Sequence, residues 1–316
     1  PTVSAPADLP PLRAAMRDVR SRGAVVAIGN FDGVHRGHHA LLDRMRGDAR
    51  AAGRPSVVVT FFPPAKVVFT GAPYLASERE KHRLLAAYAP DEIVVQRFDA
   101  AYAATPATTF LADLAALAPT TLVVGEDFRF GRDRAGGIED LQHVADRLEV
   151  VRLVRDGGDV VSSSRIRAAL ADGDVATAHA LLGGPYLVAG TVVPGDARGR
   201  TIGVPTANVA VPDGKALPIG VFAVTVETPA GTFGGMANAG PRPTVHDATA
   251  TLEVHLFDVD LDLYGADLAV FVHARLRGQR RFGGLDALKA QLARDARAAR
   301  AELRARGLPA GTDAEA

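Results

Sequence analysis

The sequence changes character near Gly183-Gly184-Pro185, and no other feature constrains the fold as strongly. Before this point, short β-branched runs alternate with longer amphipathic segments, which is the pattern of a parallel sheet with right-handed helical crossovers. From Tyr186 to Arg281 the chain is rich in Val, Thr and Gly, and turn residues separate its short apolar runs. This second pattern is typical of an antiparallel barrel or sandwich. The sequence therefore predicts two domains, 1–183 and 184–316, of α/β and all-β class.

The spacing of apolar residues predicts the individual elements. Strands buried on both faces are predicted over Ala24–Phe31, Ser56–Phe62, Glu92–Gln96, Thr120–Gly125 and Glu149–Val154. Helices are predicted from His38 and over Ser77–Tyr88, Thr105–Leu117, Ile138–Leu148, Arg165–Ala171 and Val175–Leu182. The second half predicts strands over Leu187–Val193, Gly220–Glu227, Gly231–Asn238, Ala250–Phe257 and Leu268–Leu276. A final helix carries Leu285, Leu288, Leu292, Ala299 and Leu303 at helical spacing.

Charge and composition exclude several functions. The 36 basic and 36 acidic residues balance, whereas a protein that binds a nucleic-acid polymer usually has a strongly basic domain. The chain has no cysteine, which excludes disulfides, thiolate nucleophiles and zinc–thiolate sites. No uncharged apolar stretch reaches the roughly 18 residues of a membrane span, and residues 1–22 lack a signal-peptide core. We therefore expect a soluble cytoplasmic protein that acts on small molecules.

The most informative segment runs from Gly29 to His38 and reads Gly-Asn-Phe-Asp-Gly-Val-His-Arg-Gly-His. It follows the first predicted strand and opens the next helix, where glycines allow close backbone approach and helix amides favour an anion. His35 and His38 would together reach phosphate oxygens and stabilise charge on an α-phosphate. A capped turn with surface histidines and a metal-binding pair are the alternatives. The position at the carboxyl end of a parallel strand favours phosphate chemistry.

A second segment, Ser162-Ser163-Ser164-Arg165-Ile166-Arg167, begins a predicted helix. Hydroxyls at a helix start normally cap it. Arg165 and Arg167 are less expected in a first turn, because the helix dipole disfavours cations there. A bound polyphosphate would resolve this conflict.

A third segment, Val123 to Gly131, ends a predicted strand and continues into a loop that contains Gly and Arg. Such a loop suits a ligand lying beneath it. The alternative is an ordinary strand end with Phe128 and Phe130 in the core.

In this order and spacing, the three segments resemble the adenylyltransferase half of the prokaryotic bifunctional riboflavin kinase/FAD synthetase family, a Rossmann-like nucleotidyltransferase. The resemblance implies that the FMN phosphate attacks the α-phosphorus of ATP, helped by Mg²⁺, and gives FAD and pyrophosphate. Because this nucleophile is already anionic, positioning and charge stabilisation would carry the catalysis. The implied catalytic residues are His35, His38 and Arg165. The implied nucleotide-binding residues are Gly29, Asn30, Phe31, Asp32, Gly37, Asp127, Ser163, Ser164 and Arg167.

One departure from this family follows the second strand. Where the family has Phe-x-Pro-His-Pro, this chain reads Phe61-Phe62-Pro63-Pro64-Ala65. Pro64 can neither donate a hydrogen bond nor carry a charge. Any contact that the histidine makes to ATP or flavin would therefore be lost.

The second half opens with a glycine-rich loop between Gly190 and Asn208. Its glycines and arginines can wrap phosphates through backbone amides; they are Gly195, Arg198, Gly199, Arg200 and Gly203. Thr206 and Asn208 follow two residues apart on an extended stretch and offer the hard oxygen ligands that Mg²⁺ prefers. The alternative is a Gly/Pro turn between strands.

Further along, Leu252-Glu253-Val254-His255-Leu256 reads as an alternating strand. Glu253 and His255 then share one face, while the leucines and valine pack on the other. An acid on such a face is usually a solvated surface group. Beside a nucleotide site it becomes a candidate general base.

These segments resemble the riboflavin kinase half of the same family, a small Greek-key β-barrel with a C-terminal helix. The resemblance implies that Glu253 takes the proton of the ribityl 5′-hydroxyl as it attacks the γ-phosphate of ATP. Thr206 and Asn208 would bind Mg²⁺. Across both halves the implied flavin-binding residues are Phe61, Phe62, Arg242 and Arg277. Milder departures from the family motifs are Val204, Phe222 and Gln279.

Three hypotheses follow. The first is a bifunctional enzyme that makes FMN and then FAD. The second, motivated by Pro64 and Ala65, is a riboflavin kinase with an impaired adenylyltransferase half. The third is a non-catalytic flavin carrier, against which the retained His35, His38 and Glu253 argue. In each, the partners are riboflavin, FMN and ATP rather than a membrane or a nucleic acid, and homo-oligomerisation stays open.

Overall fold

The computed structural model describes residues 9–195, 204–241 and 250–311. The chain divides into two compact units between Ser163 and Ser164. The two short helices predicted before Gly183 therefore belong with the second unit. The boundary at 183/184, expected between the functional domains, stays a prediction.

The first unit contains a parallel sheet at its centre. Within the described residues its strands are β1 (Leu12–Arg13), β2 (Val25–Ile28), β3 (Ser56–Phe62), β4 (Glu92–Arg97), β5 (Thr121–Gly125) and β6 (Arg147–Val151). They stand in the order β1-β4-β3-β2-β5-β6, and every neighbouring pair is parallel. Later strands lie on both sides of β2, so the topological switch point is at its carboxyl end. That is where ligands bind in open α/β sheets.

Helices follow β2, β3 and β4, as predicted. They are α1 (Arg36–Ala52), α2 (Ala65–Thr70), α3 (Glu78–Ala86), α4 (Ala100–Ala103) and α5 (Ala107–Ala115). Short 3-10 turns cover Met16–Asp18, Arg132–Arg134 and Glu139–His143, and a hairpin joins β7 (Arg155–Asp156) to β8 (Asp159–Val160). Alternate residues of the central strands pack into two separate apolar clusters. For example, Val26 and Ile28 join one cluster while Val25 and Ala27 join the other, as expected for strands buried on both faces.

The helix predicted over Ile138–Leu148 is wrong. The chain forms only the short turn Glu139–His143, and β6 begins at Arg147, two residues before the predicted strand. The apolar residues of this segment nonetheless face the core, because Ile138, Leu141 and Leu148 pack in the cluster that contains Val26 and Ile28. Pairing of β6 with β5 takes the last two residues of this segment, Arg147 and Leu148.

A buried carboxylate anchors the N-terminal segment to the edge of the sheet. Glu92, at the start of β4, accepts hydrogen bonds from the side chain of Arg13 and from the backbone amides of Arg20 and Ser21. Burial alone would raise the pKa of the Glu92 carboxyl. The side chains of Arg13 and Ser21 and the two amides outweigh burial and lower the pKa to about 2. The charged form of Glu92 therefore stabilises the fold.

The second unit is a closed antiparallel barrel preceded by two helices. The helices are α6 (Ser163–Ala171) and α7 (Val175–Leu182). The described barrel strands are β9 (Tyr186–Val193), β10 (Ala207–Ala210), β11 (Gly220–Thr228), β12 (Gly231–Pro241), β13 (Ala250–Leu256) and β14 (Asp267–Arg277). They close in the order β10-β13-β12-β11-β14-β9, with β9 paired to β10. The predicted combination of an α/β sheet and a small antiparallel barrel is confirmed.

The C-terminal helix α8 (Leu285–Ala305) packs on β11, β12 and β14. Its Ala299 and Leu303 are fully buried against Ala223, Met236 and Phe257 of the barrel. Leu292 of the predicted helical stripe packs against the same cluster, whereas Leu285 at the start of the helix is 54% exposed, so only the later part of the stripe covers the barrel. In the described parts of the chain, no helix is long and apolar enough to cross a membrane.

Replacing Glu92 by Gln should destabilise the first unit in a pH-dependent way. We expect E92Q to lower the free energy of unfolding by about 2 kcal/mol at neutral pH, as for lost hydrogen bonds to a charged group. A carboxyl whose native pKa lies near 2 instead of the ordinary 4.5 stabilises fully above 4.5, and this stabilisation is lost as the pH falls towards 2. Urea unfolding followed by circular dichroism at several pH values measures both effects.

The exposed Glu139 supplies the matched control, because E139Q removes an acid from the same unit without such contacts. E139Q should unfold like the wild type at every pH. If the difference in free energy of unfolding between the wild type and E92Q stayed constant below pH 4.5, it would contradict the role given to the Glu92 charge.

Candidate active sites

The segment Gly29–His35, called the histidine loop below, connects β2 to α1 at the switch point of the sheet. His35 is the residue immediately before α1, so the loop leads directly into the helix N-terminus. Phe31 and Val34 have φ values of 42° and 44°, a left-handed region that non-glycine residues rarely adopt. Backbone strain of this kind is concentrated at functional sites.

His35 at the end of this loop and His38 in α1 form a stacked pair. Their ring centroids lie 3.6 Å apart with an interplanar angle of 16°. The backbone amide of His35 donates to Nδ1 of His38 at 3.3 Å, and the ring of Phe31 meets His38 edge-on at 5.2 Å. Gly37 permits this arrangement, because a Cβ there would stand 3.1 Å from the His35 ring. The predicted proximity of His35 and His38 is therefore present.

Both imidazoles are neutral in this environment. Burial lowers the pKa of His35 to about 4, with a further contribution from His39. Burial, followed by the nearby His35 and Lys81, lowers the pKa of His38 well below its usual range. Nδ1 of His35 is buried and has no hydrogen-bond partner in the described structure. A neutral imidazole pair at a helix N-terminus, with one ring nitrogen unsatisfied, is suited to an incoming anion.

Asp32 holds the histidine loop in place. Its carboxylate accepts hydrogen bonds from the backbone amides of Leu75 and Ala76 at 2.8 and 3.2 Å. Its carbonyl oxygen accepts a hydrogen bond from the hydroxyl of Ser163 at 2.9 Å. Two of the residues predicted to bind nucleotide, Asp32 and Ser163, are thus in direct contact.

The remaining predicted residues of this site lie as follows. Asp127 is the second residue after β5, which pairs with β2, so it stands at the same edge of the sheet. Ser164, Arg165 and Arg167 lie in the first turns of α6, in the second unit. Their role beside the triphosphate stays a prediction.

Aromatic side chains gather near the carboxyl ends of β3 and β4. Phe61, the first predicted flavin residue, is 6.1 Å from both Phe98 and Tyr102, and Phe69 is 6.0 Å from Phe98. Phe69 is 67% exposed. The hydroxyl of Tyr102 is buried without a hydrogen-bond partner in the described structure. A partly open aromatic cluster with one unsatisfied polar atom can receive a planar ligand.

The departure at Pro64 occupies the position before α2. Pro64 is the N-cap of α2, and the amide of Ala65 lies 3.5 Å from Oδ1 of Asn30. The second predicted flavin residue, Phe62, meets Tyr74 edge-on at 5.5 Å. The segment therefore contacts the histidine loop through Asn30 even without the histidine.

In the second unit, strand pairing assembles a polar row. Glu253 on β13 stands directly opposite Asn208 on β10 and Asn238 on β12. Its neighbours Leu252 and Val254 are buried, as the predicted alternation requires. Asn238 was not among the predicted site residues, because only the pairing of β12 with β13 shows that it stands beside Glu253. Its Oδ1 accepts a hydrogen bond from Gln279 at 3.3 Å.

Two contacts position the stretch that carries Thr206 and Asn208. A Cβ on Gly195 would stand 2.0 Å from Nδ2 of Asn208, so only glycine allows this approach. Nδ1 of His255 lies 2.7 Å from the carbonyl oxygen of Pro205, the residue before Thr206. Thr206 also borders a cavity of about 610 Å³, whose lining includes Asp260, Asp262 and Tyr264.

The donor chemistry of this site fits Mg²⁺. In the described residues no group of three or more His, Cys, Asp or Glu side chains could hold a metal. Thr206 and Asn208 offer neutral oxygens two residues apart, next to the Glu253 carboxylate in the pairing of β10 and β13. Mg²⁺ prefers such oxygens and completes its shell with waters and substrate phosphates.

Some predicted residues take other roles or lie outside the described residues. Arg277 makes a bidentate ion pair with the buried Asp295 of α8, with N–O distances of 2.9 and 2.7 Å, so its guanidinium holds the helix to β14. Its contact with flavin stays a prediction. Arg198, Gly199, Arg200, Gly203 and Arg242 lie outside the described residues.

Comparison with known proteins agrees with the two-part organisation. A family model described as FAD synthetase matches residues 18–165, and one described as riboflavin kinase matches residues 182–303. A bifunctional riboflavin kinase/FMN adenylyltransferase from Escherichia coli (strain K12) is 43% identical over 88% of this chain and 92% of its own length. One of the same description from Bacillus subtilis (strain 168) is 32% identical over 86% of this chain and 90% of its own length.

A solved structure also resembles the chain. The crystal structure described as a macrolide-efflux protein from Streptococcus pneumoniae has a TM-score of 0.81 and 33% sequence identity. The match covers 93% of this chain and 99% of that one.

The neutrality of the imidazole pair can be measured directly. We expect His35 to titrate at about pH 4 in ¹H–¹⁵N NMR spectra, because burial disfavours its charged form. The signal is assigned by its loss in the His35→Asn variant. A midpoint near the ordinary 6.5 would contradict the buried, neutral pair.

Proposed function

Since the chain belongs to the family of bifunctional riboflavin kinases/FMN adenylyltransferases, we propose that its two reactions run at the two sites described above. The riboflavin kinase part phosphorylates riboflavin to FMN, and the FAD synthetase part adenylates FMN to FAD, each with ATP. What we propose is the role of each residue, the binding of Mg²⁺ and the limits of the two functional domains. In this proposal the domains meet at 183/184.

We propose that FMN adenylylation takes place at the histidine loop. The observation that carries this assignment is the buried, neutral His35–His38 pair at the N-terminus of α1. An oxygen of the FMN phosphate attacks the α-phosphorus of ATP while the bond to pyrophosphate breaks, and no proton has to move. His35 and His38 then act by hydrogen-bonding the charge that grows on the α-phosphate oxygens.

Binding of the two substrates to this site follows from charge and shape. The amides of the histidine loop and of the α1 N-terminus receive the triphosphate. The family resemblance further implies that Ser163, Ser164, Arg165 and Arg167 bind the nucleotide. The isoalloxazine ring lies against the aromatic cluster around Phe61 and Phe62, whose partly exposed rings offer a flat apolar surface. Asp127 lies beside the nucleotide or the flavin.

We propose that riboflavin phosphorylation takes place at the polar row of the barrel. The observation that carries this assignment is the pairing of Glu253 directly opposite Asn208. Glu253 takes the proton of the ribityl 5′-hydroxyl as its oxygen attacks the γ-phosphorus of ATP, and ADP leaves. Asn238, on the other side of Glu253, is placed to orient its carboxylate.

Thr206 and Asn208 are the residues that would hold Mg²⁺. The ion, when bound, neutralises charge on the nucleotide phosphates. Gly195 keeps the Asn208 amide in position, and the glycine-rich loop with Arg198, Gly199, Arg200 and Gly203 covers the phosphates. Arg242 and Arg277 remain the flavin contacts expected from the family resemblance. A cytoplasmic location, homo-oligomerisation and the absence of nucleic-acid partners stay predictions.

Glu253→Gln separates the two reactions. We expect this variant to lose about two to four orders of magnitude in FMN formation, as for a missing general base. FAD formation from supplied FMN should remain at the wild-type rate, because Glu253 belongs only to the barrel site. Chromatography of the flavins measures both rates in one sample. Equal loss of both activities would refute the assignment of two sites.

His38→Ala tests the other site. We expect FAD formation to fall about 10²- to 10³-fold, the usual cost of removing one donor to transition-state charge. Riboflavin phosphorylation should be unchanged. The exposed His143 provides a control for the same substitution in the same unit. FAD formation that is equal in the His38→Ala and His143→Ala variants would remove His38 from the mechanism.

A further inference from the structure

Lys81 of α3 is the one lysine of the first unit whose side chain is completely buried within the described residues. Its ammonium donates hydrogen bonds to the carbonyl oxygens of Asn30 at 2.8 Å and Phe61 at 2.6 Å. It also lies 3.3 Å from the hydroxyl oxygen of Thr60, which itself donates to the Asn30 carbonyl at 3.0 Å. Lys81 therefore connects the histidine loop to the end of β3.

These acceptors are all neutral, which makes the lysine unusual. A buried ammonium loses its hydration and is costly unless a carboxylate or many hydrogen bonds compensate it. Its ammonium also faces the ring of Phe62, whose centroid lies 5.8 Å from Nζ. An apolar residue of similar length would fill this space without the desolvation cost. The positive charge itself is therefore the feature that needs a reason.

The start of α3 is built to hold the histidine loop. Ser77 and Glu80 form a reciprocal capping box that fixes where the helix begins. The residues just before it, Leu75 and Ala76, bind the Asp32 carboxylate through their amides. Lys81, one turn into α3, binds Asn30 from the same helix start. Two independent contacts thus fix both ends of the segment 30–32.

The contact to Asn30 also sets the direction of a peptide group. The C=O and N–H groups of a trans peptide point in opposite directions. Because the Asn30 carbonyl is held by the ammonium, the amide of Phe31 must point away from Lys81. Phe31 is one of the residues with a strained, left-handed backbone, so the lysine supports a conformation that the chain does not favour alone.

We propose that Lys81 is a positioning residue for adenylyl transfer, whose ammonium holds Asn30 on the end of β3 and places a positive charge behind the loop that receives two anionic substrates. This inference rests on the proposed assignment of FMN adenylylation to His35 and His38. The charge acts over a short distance in a dry environment, where it is weakly screened. It also favours the neutral form of His38.

The charge of Lys81 should be visible in the pH dependence of the reaction. Burial lowers the pKa of Lys81 to about 8, while Asp32 of the loop and Glu78 of α3 oppose this shift. His38 of α1 is the third titratable group facing it, and it is neutral. The ammonium is therefore present at neutral pH and lost as the pH rises through 8. We expect kcat/KM for FAD formation to fall on that alkaline side.

The absence of cysteine in the chain permits a specific test. In the Lys81→Cys variant the single thiol is alkylated with 2-bromoethylamine in denaturant, and the protein is refolded. The product carries an ammonium on a side chain of lysine length in which sulfur replaces one methylene, and this ammonium is more acidic than that of lysine. Riboflavin phosphorylation by the same molecules reports refolding. Lys289→Cys, at an exposed position of α8, undergoes the same treatment as the control.

We expect Lys81→Met and unalkylated Lys81→Cys to lose about 10- to 100-fold in kcat/KM for FAD formation, as for a small misplacement of a catalytic loop. Riboflavin phosphorylation should stay at the wild-type rate. Aminoethylation should restore FAD formation. Because the new ammonium is more acidic, the alkaline limb of the pH profile, where kcat/KM for FAD formation falls, should lie at lower pH than in the wild type. A purely structural lysine would not shift the limb.

Each other outcome overturns the inference. Full FAD formation by Lys81→Met shows that the ammonium is dispensable. Loss of FAD formation that aminoethylation does not reverse, in a sample with normal kinase activity, shows that the charge is not what the site requires. Restoration with an unshifted alkaline limb assigns the lysine to packing alone. If His38→Ala has no effect, the site assignment fails instead, so the two failures are distinguishable.

Discussion

The carboxyl ends of β2, β3 and β5 meet at one edge of a parallel sheet, and the site proposed for adenylyl transfer lies there. The histidine loop follows β2, the aromatic cluster follows β3, and Asp127 follows β5. Loops at such an edge have no strand partners, so something else must fix them. Here a buried ammonium and a carboxylate, Lys81 and Asp32, bind the backbone of neighbouring segments. These two side chains convert a strained loop into a fixed binding surface.

In the barrel, strand pairing does this together with the contacts of Gly195 and His255 to the stretch that carries Asn208. Directly opposite residues of antiparallel strands stand side by side, so one register places Asn208, Glu253 and Asn238 in a row. The two sites also suit different chemistry. A hydroxyl must lose a proton during phosphorylation, which is the role proposed for the Glu253 carboxylate, whereas a phosphate nucleophile is already anionic and the proposed site offers it neutral donors.

Much of this arrangement was readable from the sequence, because strands with β-branched runs and motifs at loop starts are local features. The strand Ser56–Phe62 and the helix Val175–Leu182 have the predicted bounds, and His35 meets His38 as expected. Lys81 could not be found this way. In Glu-Arg-Glu-Lys-His-Arg it looks like part of a solvated helix face, and its acceptors lie 20 and 51 residues earlier. The end of the segment Ile138–Leu148 was mispredicted for a related reason, since Arg147 and Leu148 pair with Thr121 and Leu122 of β5.

Because Pro64 and Ala65 replace a histidine and a proline of the family motif, FAD formation is the activity that tests the two proposed sites most directly. The purified protein should be given ATP and Mg²⁺ with either riboflavin or FMN, and the flavins resolved by chromatography over time. We expect FMN to appear first from riboflavin, followed by FAD, and FAD to form directly when FMN is supplied. FMN that accumulates without any FAD, even when FMN is the starting flavin, would contradict two working sites on this chain.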